Sequence, residues 1–163
     1  MKNLKAFTMI ELVFVIVVLG ILAGIAVPRL AATRDDATIA KMRGDIAAIR
    51  SGLSLVRSEN MMRGVTSWPG LEGDPDVAGT LFEGVLQQPI YPMRAGGRNG
   101  WILVADGGNN ATSTYTATVA GKSTNFTYYP TRASIPTSGA NKDRNVGSFD
   151  CNHANELCQS LAQ

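Results

Sequence analysis

Two hydrophobic patterns follow one another in the first third of the chain. From Phe7 to Val27 the residues are almost uniformly apolar, and from Leu12 to Val27 no charge occurs. With Phe7 to Ile10 added, the run is long enough to span a bilayer if Glu11 lies near a headgroup region. After Pro28 the pattern becomes periodic. Ile39, Met42, Ile46, Ile49, Leu53 and Val56 recur at spacings of 3, 4, 3, 4 and 3. That is one face of a helix turned toward a core. Asp35, Asp36, Lys41, Arg43, Asp45, Arg50 and Arg57 fill the other positions. The stripe has heptad character, but strand candidates downstream need a helix to cover them, so it is expected to pack helix on sheet. A helix continuous from Phe7 to about Met61 would be roughly 80 Å long at the α-helical rise. Its first half has no domain to cover it and requires lipid or other copies of itself.

The remainder changes character again. Residues 64–100 are rich in Gly and Pro, with Trp68-Pro69-Gly70, Gly73-Asp74-Pro75 and Gln88-Pro89. This predicts a long connection carrying a short helix around Val77 to Leu86. Three segments rich in β-branched and aromatic residues follow: Gly100 to Ala105, Thr114 to Ala120 and Thr124 to Tyr129. Gly121-Lys122-Ser123 between the last two predicts a hairpin. A polar stretch from Ala133 to Asp150 predicts an exposed loop. The expected fold class is α+β, a long N-terminal helix on a small three-stranded antiparallel sheet.

One residue breaks the first pattern. An ionisable group at the edge of a membrane segment is costly, so Glu11 is a functional candidate. Its setting, Ala6-Phe7-Thr8-Met9-Ile10-Glu11-Leu12 after a short leader holding Lys2 and Lys5, resembles the prepilin-peptidase site of type IV pilins and type II secretion pseudopilins. The resemblance implies a pilin-like fold, cleavage after Ala6, N-methylation of Phe7 and a filament-assembly role for Phe7 and Glu11. It departs from the family pattern at Ala6, where glycine is usual. Pro28 stands where the family commonly kinks its helix. Gly20 and Gly24 form the spacing that lets membrane helices approach closely. The resulting division is leader 1–6, transmembrane or filament-core helix 7–28, amphipathic helix 29–62 and globular domain 63–163. A secretory signal peptide cut near Gly24-Ile25-Ala26 is the ordinary alternative, and it leaves Glu11 unexplained.

Charge and cysteines narrow the setting. The formal charge is +2, from 15 basic and 13 acidic residues. Loss of Lys2 and Lys5 with the leader would balance them, which gives no support to a general affinity for DNA or anionic lipid. A local patch of Arg94, Arg98 and Lys122 keeps nucleic acid an open question. Cys151 and Cys158 are the two cysteines. With one histidine, His153, and no CxxC pair, a disulfide is favoured over a metal site, and it requires an oxidising compartment. The lysines before the apolar run favour a cytoplasmic N-terminus and place the rest outside. Asn141, Asp143, Asn145 and Asp150 offer oxygen ligands for calcium, but their spacing matches no known loop. No catalytic motif is present, and no cofactor is expected.

The sequence thus reads as a structural subunit of a bacterial filament. It would begin as a single-pass inner-membrane precursor and end in a periplasmic filament or a cell-surface pilus. The resemblance implies prepilin peptidase, an assembly ATPase, an inner-membrane platform protein and other copies of the chain as partners. Secretion pseudopilin, type IV pilus subunit and competence pilin for DNA uptake remain open. A membrane-anchored binding protein that never polymerises is the rival from another class.

Overall fold

In the computed structural model, residues 7–73, 79–108, 111–139 and 141–162 are described. The leader, Ala6 included, and Val77 lie outside them. Helix α1 runs from Met9 to Met62, β1 from Gly100 to Ala105, β2 from Ser113 to Val119, β3 from Lys122 to Tyr128 and β4 from Phe149 to Cys151. A short helix α2, Glu156–Leu161, closes the chain. Two compact units divide within α1, Met1–Ala37 and Thr38–Gln163.

The second unit is the α+β domain. Its sheet is antiparallel in the order β1-β2-β3-β4. Tyr115, Ala117 and Val119 of β2 and Phe126 and Tyr128 of β3 are buried, as the period-two alternation of a half-buried strand requires. They join Met42, Ile46, Ile49 and Leu53 of α1 in one core, with Ile39 and Val56 packed at its margin. All six positions of the periodic stripe therefore meet this core. Its centre is aromatic. Phe82 stacks on Tyr115 with ring centroids 4.4 Å apart, and Phe149 stacks on Phe126 at 5.3 Å.

The β2–β3 turn is tighter than the sequence suggested. Ala120 and Gly121 are the two turn residues, with φ of 54° and 82°, and Val119 pairs with Lys122. Two successive positive φ values are the signature of the turn whose twist matches a hairpin. Gly121 accepts this freely, whereas Ala120 is there because the strands on both sides are fixed.

Three local expectations are corrected. The sheet has four strands, because Phe149–Cys151 pairs with β3 through Phe126↔Cys151 and Tyr128↔Phe149. The stretch 133–150 is accordingly not all exposed loop: Ile135 and Phe149 are buried, and a 3-10 turn spans Arg132–Ser134. No helix forms in 79–86. Leu81 instead bridges Ile90, and Phe82, wholly buried, takes a φ of 65°. Burying that ring in the aromatic core outweighs the cost of a left-handed backbone, about 1–2 kcal/mol.

Candidate functional site

The candidate site is the N-terminal part of α1, and its first turn shows why the sequence places Glu11 there. Thr8 precedes the helix. Its Oγ1 accepts the Glu11 N–H at 3.4 Å, while its carbonyl accepts from Glu11 at 3.2 Å and Leu12 at 3.3 Å. Thr8-Met9-Ile10-Glu11 has the spacing of a capping box, in which a Ser or Thr serves the N–H three residues on. The carboxylate also stands in the first turn, where the helix dipole favours negative charge. The cap is a feature the sequence reading missed, although its threonine-to-glutamate spacing was visible.

Beyond the cap, Met9–Val27 is long and apolar enough to cross a membrane, and none of it is buried. Phe7, Ile10, Phe14, Ile16, Leu19, Ile21, Leu22 and Ile25 are all exposed. A Cβ added at Gly20 or Gly24 would meet nothing within 4 Å. The helical backbone continues through Pro28, whose side chain lies outside the described residues.

The other half of α1 is anchored on its polar side as well as its apolar one. Asp45 Oδ2 accepts the indole N–H of Trp101 at 3.1 Å. Arg43 donates to the carbonyl of Ser160 at 2.6 Å, and Arg50 to that of Phe149 at 3.1 Å. Arg57 donates to the carbonyls of Thr66 and Ser67 and lies 5.0 Å over the Trp68 ring. Charges that look like a solvated face in sequence are thus the ties that fix 66–68 and the C-terminal tail to the helix.

The tail is closed by the Cys151–Cys158 disulfide, with the two Cα atoms 5.9 Å apart. Asp150 beside it accepts from Arg50, Arg144, the imidazole of His153 and the backbone N–H of Cys151. A second polar centre lies on the connection before β1. Glu72 Oε1 accepts the Tyr115 hydroxyl at 2.5 Å and the Phe82 N–H at 3.2 Å. Burial pushes the Glu72 carboxyl above its ordinary value; those two hydrogen bonds oppose the shift, and Asp106 and Glu83 add to it. Burial, then Glu72 itself, raises the Tyr115 phenol. Tyr128, also raised by burial, donates to the Pro69 carbonyl at 2.6 Å.

Comparison with known proteins bears on both halves. The model of the prokaryotic N-terminal methylation motif matches residues 1–27. The type II secretion system core protein G of Pseudomonas aeruginosa is 29% identical over 157 residues, 91% of this chain and 97% of that protein. Together these two matches support the type IV pilin and pseudopilin family. The resemblance to further relatives is more local. Core protein G of Klebsiella michiganensis is 38% identical over 59 residues, 36% of this chain and 42% of that protein. The type IV narrow pilus major component PilA5 of Thermus thermophilus is 47% identical over 51 residues, 31% of this chain and 44% of that protein. No solved structure matches.

The other sequence candidates fare differently. The proposed calcium ligands do not form a free set, because Asp150 is committed to arginines and His153, while Asp143 and Asn145 are exposed. Arg94, Arg98 and Lys122 are exposed, and Arg98 reaches the turn carbonyl of Ala120 at 3.4 Å. The residues missed in sequence are Asp45 and Glu72, each defined by a partner far along the chain; Asp150 was read as a calcium ligand, and its place between Arg50, Arg144 and His153 was not foreseen.

Proposed function

We propose that this chain is a structural, non-catalytic subunit of a type IV-like filament. Its role is that of the main pseudopilin of a type II secretion system. The observation that carries the reading is a 19-residue apolar helix, exposed along its whole length, attached to a complete and independently packed α+β domain. Such a helix is stable in lipid before assembly and against other copies afterwards. Near-full-length similarity to core protein G favours the secretion filament over a surface pilus.

The steps follow from named residues. Prepilin peptidase cuts after Ala6, leaving Phe7 as the methylated N-terminus. The new ammonium then pairs with the Glu11 carboxylate of a neighbouring subunit. In a low-dielectric filament core that pairing offsets part of the desolvation of both charges and sets the stagger between subunits. Gly20 and Gly24, which meet nothing in their own chain, permit close approach of neighbouring helices. Gly20, Gly24 and Pro28 also weaken the helix locally, each glycine by about 1 kcal/mol, so this stretch unwinds most readily on packing. The domain division is the one drawn above: leader 1–6, filament core 7–28, amphipathic helix 29–62 and outer domain 63–163. An assembly ATPase and a polytopic platform protein drive polymerisation from the inner membrane, with the N-terminus cytoplasmic.

Intact mass spectrometry of the protein from membranes and from sheared filaments tests this reading. The expected species lacks Met1 to Ala6, carries one methyl group and is two hydrogens lighter through the disulfide. Its recovery from membranes but not from sheared surface fibres is the outcome for a secretion pseudopilin. Abundance in the sheared fraction would make it a pilus subunit. A mass beginning at Val27 would overturn the filament reading altogether.

A further inference from the structure

Near-neutral net charge hides a separation of charge within the second unit. Between Glu83 and Asp143 the sequence holds one carboxylate, Asp106, against Arg94, Arg98, Lys122, Arg132 and Lys142. Tertiary contacts bring three of these cations to one corner. The Gly121 N–H donates to the Arg98 carbonyl at 3.1 Å, and the Ala120 N–H to Asn99 Oδ1 at 2.7 Å. The Arg98 guanidinium reaches the Ala120 carbonyl at 3.4 Å. The β2–β3 turn, with Lys122 beside it, is thereby fastened to the 94–99 loop. That loop is closed by the Gly97 N–H on the Arg94 carbonyl at 2.8 Å. Arg94, Arg98 and Lys122 are exposed, and among the described residues none of them is paired with a carboxylate.

This corner lies at the end of the unit where α1 enters it. Gly100 opens β1 opposite Thr118, and its neighbour Trp101 is held by Asp45, about two turns after Thr38. The carboxylates gather at the other end. Asp106 accepts from Ser113, Ser113 pairs with Tyr128, and the Tyr128 hydroxyl meets the Pro69 carbonyl. Arg57, which holds the nearby Ser67 carbonyl, is about 18 Å further along the helix than Asp45. Glu72 and Glu83 stand with Asp106 at that end. Eleven residues separate Thr38 from Val27, the last residue of the membrane-length run. Whatever path they take, chain length keeps the basic end of the unit within reach of the span, about 40 Å at most from Val27 to Thr38.

We propose that Arg94, Arg98 and Lys122 form a docking surface for the phosphate headgroups of anionic phospholipids, on the membrane that holds the apolar span of the unassembled chain. The inference rests on the reading of Met9–Val27 as a membrane span. Each cation beside an anionic surface favours contact by about fivefold. The tether presents that surface at high effective concentration, so three cations suffice where a free domain would not stay bound. Glu72, Glu83 and Asp106 are repelled by the same headgroups, which sets the orientation of the unit with its basic end on the membrane. Nucleic acid or a partner protein would have to arrive from solution without the advantage of the tether. The docked unit is thus held at the membrane until assembly withdraws it.

The test uses the full chain in lipid nanodiscs loaded with a single copy each. Both native cysteines are in the disulfide, so Ala95→Cys, at an exposed position of the 94–97 turn, gives one thiol for a fluorophore. A spin label on a fixed fraction of headgroups quenches that fluorophore on contact. Discs with roughly a third phosphatidylglycerol should quench it about threefold more than discs of phosphatidylcholine alone. The difference should disappear between about 0.05 M and about 0.5 M salt. R94Q/R98Q/K122Q should abolish it while leaving the melting of the domain unchanged, because all three side chains are exposed. Equal quenching in the two lipids, a difference that survives in the triple variant, or one that ignores salt would each overturn the proposal. A difference that needs two or more copies per disc would assign the patch to another copy of this chain. Release of the label by a single-stranded oligonucleotide would assign it to nucleic acid. Either result overturns the lipid surface. A chain that fails to enter the discs would overturn the membrane-span reading itself, an outcome distinct from an inserted chain whose label stays unquenched.

Discussion

The two halves of α1 use the same secondary structure against opposite surroundings. Between Met9 and Val27 apolar residues lie on all sides and none is covered. Between Ile39 and Val56 the large apolar residues, exposed Leu55 excepted, keep to one stripe, and four of its six are buried. The glycines show the contrast at single residues. Gly20 and Gly24 have open space where a Cβ would stand, but a Cβ at Gly52 would fall 2.2 Å from the Val85 carbonyl oxygen. One half of the helix leaves its complementarity to other molecules, and the other has already spent it on its own domain. A helix can carry both because its backbone hydrogen bonds are internal, leaving the side chains to choose the solvent.

Six substitutions, in four tests, sharpen or break this contrast. The largest effect is expected from Glu11→Ala. It should leave insertion, cleavage and domain stability unchanged while reducing filament yield to background, read by immunoblot of overexpressed filaments against the membrane pool. Normal filament yield would remove Glu11 from the assembly mechanism. Next comes Ile49→Ala at a position with no exposed surface. Truncation there should cost about 3 kcal/mol in urea unfolding of the domain. Ile16→Ala in the exposed half should cost the domain nothing, and a comparable loss would show that the two halves are not energetically separate.

Gly52→Ala is smaller. Alanine favours helix by about 1 kcal/mol over glycine, but the clash with Val85 forces movement of backbone, and overpacking costs about 1–3 kcal/mol. A net loss of about 1 kcal/mol is expected, against no change in domain unfolding for Gly20→Ala; a stabilised Gly52→Ala would show that the 81–90 connection yields freely.

The smallest effect is pH-dependent. Burial holds the folded Glu72 carboxyl above its ordinary value of 4.5, so the folded chain binds this proton more tightly than the unfolded chain. The associated stabilisation is complete below about pH 4.5 and is lost as pH rises through the folded value. Glu72→Gln keeps an acceptor for Tyr115 and Phe82 and should flatten that part of the stability–pH curve. Parallel curves for the two proteins would show that Glu72 does not supply the dependence.

What could be read from the sequence and what could not divides along the range of the interactions. The apolar run, the helix stripe and the three main strands are repeated local signals, and each repeats often enough to be seen above noise. Glu11 stood out as a candidate because a charge in an apolar run is conspicuous and its neighbours form a recognisable motif. The fourth strand has three residues and α2 has six, too few to establish a period. The absent helix near Leu86 has a different origin. Its local propensity was overridden when the Phe82 ring entered the aromatic core.

By itself, then, the sequence determined that a membrane-length helix leads into an amphipathic one, that a small sheet follows, and that the cysteines have only each other as like partners. The tertiary structure alone decided that Asp45 meets Trp101, that Glu72 meets Tyr115, and that Asp150 gathers two arginines and His153 beside the disulfide. The reason is that periodicity records only which side of an element faces away from water. The identity of a polar partner depends on distances between segments as far apart as 100 residues for Arg50 and Asp150, and these are set only when the whole core closes.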